Sequence, residues 1–490
     1  MSTVSELFQS SVDRFTGLTA AVEGDTRVTY GDLGRMARNF SSYLLSKGIE
    51  KGDRVAIFLP NSVEFVAAFF GAASIGAVSV PINSVFKEEE LGFYIEHSSP
   101  RILVTEERLK PLAAKCCAMT DTAVRVVKGN NVDWEFSQKS PDYPVDAVIS
   151  PEDEAIYLYS TGSTGKPKRV ARTHYNLTAL ANNHTDTVGW TEKDRILFTI
   201  PISHTYGFGN FISAVKTGAE IVVLAEFNRH SVLDLLDRES ITVFPAVPVI
   251  LDVLAKTFLS EPKDLSSLNL VISAGAPLPK QIFYKFHERF SIYPRQLYGS
   301  TETGVISINM AQDIQNRFDS VGRPVRNVEV KLFNEDGVEV RQGETGEIAV
   351  KSPSMTTGYY GLPDETTKVF RDGYYFTGDI GRIDGDGFIY ILGRKKFFIN
   401  VGGHKVDPAE VENILSTHPK INESAVLGIK DKNGDERVKA VIVSDDIIES
   451  GDVIGFCMGK IAEYKIPQVI EFREKLPRSP TGKVLREKLK

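Results

Sequence analysis

Residues 159–168 read Tyr-Ser-Thr-Gly-Ser-Thr-Gly-Lys-Pro-Lys, and this composition suits a loop that cradles phosphate groups. Gly162 and Gly165 permit close backbone approach. The hydroxyls and N–H groups of Thr161, Gly162, Ser163, Thr164 and Gly165 can donate to an anion, and Lys166 and Lys168 add positive charge. The loop is not a Walker A motif, which needs Gly-Lys followed by a hydroxyl residue for magnesium. Here Gly165-Lys166 is followed by Pro167. A solvated Ser/Gly/Lys turn would share this composition, so two further segments matter. Leu297-Tyr298-Gly299-Ser300-Thr301-Glu302-Thr303-Gly304 places an aromatic ring, hydroxyls and a carboxylate on one short loop after a strand. A carboxylate beside phosphates needs a cation between them, so Glu302 points to Mg²⁺, and Tyr298 can stack on a base. The plainer alternative is a surface turn with a helix-capping Ser or Thr. Tyr375-Phe376-Thr377-Gly378-Asp379 precedes Gly393-Arg394-Lys395-Lys396. Asp379 is suited to accept bonds from ribose hydroxyls, although an Asx-turn uses the same residue type.

In this order the segments resemble the adenylate-forming superfamily of acyl-CoA synthetases, luciferases and non-ribosomal peptide synthetase adenylation domains. Pro201-Ile202-Ser203-His204 and Pro480-Thr481-Gly482-Lys483 fit the same order, and the likeness runs from Val28 to Lys483. The resemblance implies two steps. A carboxylate attacks the α-phosphate of ATP, giving an acyl adenylate and pyrophosphate; a thiol then displaces AMP to give a thioester. It implies that Thr161, Gly162, Ser163, Thr164, Gly165, Lys166 and Lys168 hold the β- and γ-phosphates. Glu302 would hold Mg²⁺, Thr301 would touch the α-phosphate, and Lys483 would bridge the substrate carboxylate and the α-phosphate. Asp379 and Arg394 would hold the ribose. Gly275, Ala276 and Pro277 would line one adenine face, with Tyr298 and the adjoining Gly299 on the other. Lys396 matches the hinge position, and Val401, Gly402 and Gly403 would approach a pantetheine arm. His204 is either a wall of the acyl pocket beside the reacting carboxylate or a packing histidine.

The resemblance also bears on the acid. Amino-acid-activating relatives carry an Asp immediately after the His204 position, and here that residue is Thr205. The expected pocket wall is Tyr206, Phe208, Val247, Ala274, Leu297 and Val305, uncharged throughout, with Gly299 leaving depth. An uncharged aryl or medium-length aliphatic acid fits. Coenzyme A is the expected acceptor; the alternative is the phosphopantetheine arm of an acyl carrier protein.

The elements that must position these residues are those of a large α/β protein. At 490 residues, 42% of them apolar, the chain can bury several core-forming units. Short apolar runs at 54–59, 102–105, 221–224, 243–247 and 270–273 read as buried strands. Helical periodicity at 231–238 and 280–290 separates some of them, the pattern of parallel sheets with helical layers. From Val328 the texture changes to closely spaced strands with glycine turns, a β-barrel-like subdomain over about 328–393. After Lys395 it resets again: Pro408–Ser416 reads as a helix capped by Asp407, 438–443 and 469–472 as strands, 451–464 as a helix. The expected organisation is an N-terminal ATP- and acyl-binding domain, 1–395, and a small mobile α+β C-terminal lid, 396–490, that carries Lys483.

A net charge of −7 gives no electrostatic case for nucleic acid. Three cysteines without CxxC spacing suit a reducing, cytoplasmic setting. The apolar window 65–82 is interrupted by glycine, serine and proline, so a core helix from about 62 to 76 followed by a strand at 77–80 is expected, not a membrane span.

Overall fold

The computed structural model describes residues 2–141, 143, 148–161, 167–259, 261–397, 399–401, 404–430, 436–478 and 484–490, with the backbone alone at 161, 396, 404 and 405. Two large sheets carry the N-terminal part. The nine-stranded sheet runs Arg323–Pro324, Gly304–Ile308, Arg295–Ser300, Leu270–Ser273, Val243–Ala246, Arg195–Phe198, Glu220–Val223, Thr19–Glu23 and Thr26–Thr29 in spatial order. Its six inner strands pair in parallel, and antiparallel strands close both edges. The six-stranded sheet is parallel through Ala123–Lys128, Ile102–Glu106, Arg54–Phe58, Val78–Pro81 and Glu154–Thr161, and ends in the antiparallel strand Pro167–Thr173. Parallel strands need crossover connections, and the helices that provide them cover the faces.

The apolar window 65–82 becomes the helix Val63–Ala73 and the strand Val78–Pro81. The helix is buried along almost its whole length, and Phe69 and Phe70 join Phe208 and Phe211 in a ring cluster with centroids 5.0–5.8 Å apart. A helix that is apolar all round belongs in a core. Among the described residues, no helix is long and apolar enough to cross a membrane.

The region expected to be barrel-like is a five-stranded antiparallel sheet of Glu329–Phe333, Thr345–Lys351, Phe370–Arg371, Tyr374–Ile383 and Ile389–Arg394. Beyond it a three-stranded sheet, Glu423–Lys430, Glu436–Val443 and Val469–Phe472, packs with the helices Pro408–Leu415 and Ser450–Cys457. Ile399, Val406, Val411, Leu415, Val426 and Val438 form a separate buried cluster there. Asp407 caps the first of these helices as expected, its side chain accepting from Ala409 N–H. The helix expected over 451–464 is shorter: Met458 leaves helical geometry at ψ 134° and Gly459 follows at φ 74°.

Candidate active site

The parallel strands of the nine-stranded sheet end together, and loops at such carboxyl ends form ligand crevices in open α/β sheets. Leaving Leu270–Ser273, the chain turns through Ala274, which is buried, and Gly275, Ala276 and Pro277, which are exposed. Gly275 sits at φ 84°, where a side chain is strained, and the space in front of it is open apart from Val247 Cγ1 at 3.7 Å. This backbone can approach a flat ligand closely.

The neighbouring segment differs from the expected loop. Tyr298 and Gly299 lie within the strand Arg295–Ser300, which turns through Thr301, Glu302 and Thr303 into the antiparallel strand Gly304–Ile308. This hairpin presents both Tyr298 and Glu302. The Tyr298 hydroxyl donates to Asp379 Oδ2 at 2.6 Å, and Arg394 Nε donates to Asp379 Oδ1 at 2.7 Å. Asp379 and Arg394 are direct partners across the antiparallel pair of Tyr374–Ile383 and Ile389–Arg394, so sheet register alone brings them together. Burial, then the Asp379 carboxylate, holds the Tyr298 phenol well above its usual pKa, so it remains a donor at neutral pH.

Glu302 is 5% exposed, and its Oε1 accepts from the Tyr359 hydroxyl at 2.8 Å. Burial and the Glu302 charge in turn push the Tyr359 phenol upward. Thr301 Oγ1 bonds Thr205 Oγ1 at 3.2 Å, and Thr301 O accepts from Arg172 Nη2 at 2.7 Å. His204 is the N-cap of the helix Thr205–Thr217, its Nδ1 accepting from Tyr206 N–H at 3.3 Å. That capping bond and the Thr205–Thr301 contact bring His204 beside the hairpin turn.

Several expectations need correction. Residues 159–161 and 167–168, read above as part of one loop, are strand: Glu154–Thr161 and Pro167–Thr173 form an antiparallel pair, so the glycine-rich segment connects two strands. Lys168 does not present a free ammonium to phosphate. It pairs with Glu365 at 2.8 Å, and its ammonium lies 4.7 Å from the centre of the Tyr359 ring. Phe208 is fully buried against Phe69 and Phe211 and is core, not a pocket wall. A side chain at Gly299 would not reach into pocket space: a Cβ there would lie 2.4 Å from Gly304 O, on the facing strand of its own hairpin, although Gly299 itself is exposed. Of the remaining wall, Ala274, Leu297 and Val305 are almost wholly buried, Val247 and Tyr206 are half-buried, and the Tyr206 hydroxyl donates to Ile272 O at 3.0 Å.

Gly162, Ser163, Thr164, Gly165, Lys166, Gly402, Gly403 and Lys483 lie outside the described residues, as do the side chains of Thr161 and Lys396. Val401 pairs with His404 in a two-stranded ribbon, and Lys396 lies in the single 3₁₀ turn Lys395–Phe397 that follows Arg394. Sequence reading missed Arg172 and Tyr359, and it used Thr205 only as the absence of an Asp. One signal pointed to Arg172. On a strand it shares its face with the apolar Val170, two positions away, which aims a cation toward the side an apolar residue prefers.

Known proteins similar to this chain cover its whole length. The family model of the AMP-binding enzymes matches residues 8–360, and that of the AMP-binding enzyme C-terminal domain matches 410–483. A long-chain-fatty-acid–CoA ligase, FadD13, of Mycobacterium tuberculosis is 31% identical over 100% of this chain and 96% of its own. A feruloyl-CoA synthase of Amycolatopsis is 31% identical over 96% of this chain and 94% of its own. Among solved structures, ATP-bound MatB from Rhodopseudomonas palustris superposes with a TM-score of 0.90 at 27% identity, covering 100% of this chain and 98% of that one. The chain belongs to the AMP-binding, adenylate-forming enzyme family, as a mixed α/β enzyme with a large N-terminal and a small C-terminal part.

Proposed function

We propose that this enzyme activates a carboxylic acid, uncharged apart from its carboxylate, with ATP to an acyl adenylate and pyrophosphate, then transfers the acyl group to the thiol of coenzyme A. The observation that carries the reading is the hairpin 295–308, which joins the Asp379–Arg394 pair through Tyr298 to the Thr301–Glu302 turn. The relatives named above are CoA ligases, which favours coenzyme A over a carrier protein as acceptor.

The first step brings an anion to a polyanion, and catalysis must come from positioning and from charge aimed at the phosphorus. Asp379 accepts from the ribose hydroxyls, with Arg394 and Tyr298 fixing its carboxylate. The Tyr298 ring and the exposed backbone of Gly275, Ala276 and Pro277 take the base. The hydroxyl of Thr301 meets the α-phosphate. Lys483 bridges the two reacting anions, and the residues of 161–166 hold the outer phosphates. Glu302 suits Mg²⁺: it is a hard oxygen donor, and magnesium is commonly held by one or two carboxylates together with substrate phosphates. When bound, the ion neutralises phosphate charge. In the second step the residues 396–490 reorient about Lys396, and Val401, Gly402 and Gly403 approach the pantetheine arm.

The test is pyrophosphate release over a panel of aryl and aliphatic acids, with and without coenzyme A. The expected result is acid-dependent release, with acyl-CoA appearing only when the thiol is present. Release that needs no acid would overturn the reading. Acyl transfer to a phosphopantetheinylated carrier protein but not to coenzyme A would replace the acceptor.

A further inference from the structure

Arg172 is fully buried, on the return strand that pairs with the strand preceding the glycine-rich segment. Only one of its three nitrogens is engaged among the described residues: Nη2 donates to Thr301 O at 2.7 Å, while Nε and Nη1 are buried without a partner. The guanidinium lies against the hairpin itself, since a Cβ on Gly304 would come within 3.1 Å of Nη1. Burial draws its pKa down to about 10, and the carboxylate of Glu302 opposes that fall. A buried cation with unmade hydrogen bonds is costly, and an apolar side chain of similar volume would stabilise the fold better. The same neighbourhood is cross-linked further: Thr356 N donates to Glu302 O at 2.9 Å, and Thr356 Oγ1 donates to Ala171 O at 2.7 Å.

We propose that Arg172 is a positioning residue for magnesium–nucleotide binding. Through Thr301 O and its charge beside Glu302, it locks the turn 301–303 to the strand 167–173. The hydroxyl of Thr301 and the carboxylate of Glu302 are thereby held in fixed relation to the phosphate-binding segment. This rests on the nucleotide reading of the site given above, and a different measurement tests each. Wild-type binding of magnesium–ATP, measured by calorimetry, tests the nucleotide reading; the Arg172 variants test the positioning.

The variants are Arg172→Lys, which keeps a cation but loses the fork geometry, and Arg172→Met, which loses both. Magnesium–ATP dissociation constants, KM for the acid at saturating nucleotide, and melting temperature are measured on each. The expected result is weaker magnesium–ATP binding by at least tenfold in Arg172→Met and less in Arg172→Lys, with KM for the acid within twofold of wild type. A double-mutant cycle between Arg172→Lys and Glu302→Gln should be non-additive by at least fivefold. If Arg172→Met does not fold, Arg172→Lys and the cycle decide. Wild-type magnesium–ATP affinity in Arg172→Lys, or an equal loss for nucleotide and acid, would overturn the proposal.

Discussion

Glu302 and Gly299 stand three residues apart on one hairpin, and their substitutions should fail in different ways. Glu302→Gln replaces an ionised ligand with a neutral amide, a poorer partner for a hard cation. The magnesium concentration for half-maximal pyrophosphate release should rise about tenfold or more, with little change in the acid's KM; an unchanged magnesium titration would remove Glu302 from the metal site. Gly299→Ala should instead harm every acid alike and lower the melting temperature. The new Cβ meets the carbonyl of Gly304 at 2.4 Å, and that neighbour is backbone that cannot rotate away. Overpacking of this kind costs ~1–3 kcal/mol. A graded series of acids with a melting curve checks it; a selective loss of long acids would restore Gly299 to the pocket floor. At this scale the sequence was informative about residue type and poor about partners. Asp379, Arg394 and Tyr298 each stood out in the sequence as separate candidates, and the structure joins them. Lys168 was misjudged because its partner Glu365 lies 197 residues away, and no local pattern encodes that ion pair.

The elements were legible where periodicity is strong. The strand Leu270–Ser273, the helix Lys280–Phe290 and the strand Val469–Phe472 fall where the apolar pattern puts them. The misreadings occurred where turn chemistry and pairing compete. Tyr-Gly-Ser looks like loop, yet the antiparallel partner Gly304–Ile308 makes it strand. The helix after Ser450 stops at Cys457: Met458 turns to ψ 134° and Gly459 follows in a left-handed conformation, which the apolar pattern does not reveal. The proposed hinge belongs to this scale. Lys396 lies in the 3₁₀ turn Lys395–Phe397, and proline's fixed φ near −65° is compatible with such a turn. Lys396→Pro should therefore fold and form adenylate, but restrict the backbone rotation that a second conformation needs. Single-turnover assays should show thioester formation slowed at least tenfold with adenylation within about threefold. Equal loss in both half-reactions would place the pivot elsewhere between 394 and 398.

At the scale of the molecule, two buried histidines make the fold sensitive to mild acid. Burial pulls His184 down to about 4; it pulls His174 to about 4 as well, where Asp153 and Glu6 raise it slightly and Lys51 lowers it. Both rings are fully buried, with His184 beside Ser213 and His174 accepting from Val4 N–H, which ties the N-terminal helix to the body. Between pH 6.5 and 4 the unfolded chain binds protons that the folded one refuses, so stability falls as pH falls. Each histidine accounts for roughly 3 kcal/mol when the drop is complete. Asp407, raised to about 6 by burial, acts in the opposite sense and offsets part of this. Urea unfolding at pH 7 and pH 5 should show the loss, and His184→Gln should flatten the slope; a slope unchanged in that variant would assign the acid sensitivity to other groups.

The central claim is that the acid's own oxygen attacks the α-phosphate of ATP. It is tested most directly with an accepted acid carrying ¹⁸O in both carboxylate positions, turned over with ATP and coenzyme A and read by mass spectrometry. Attack at the α-phosphate puts one ¹⁸O into AMP, because the later thiol attack breaks the acyl carbon–oxygen bond and leaves that oxygen on phosphorus. The account predicts singly labelled AMP and unlabelled pyrophosphate. Label in inorganic phosphate with ADP as the other product, or AMP without label, would contradict it.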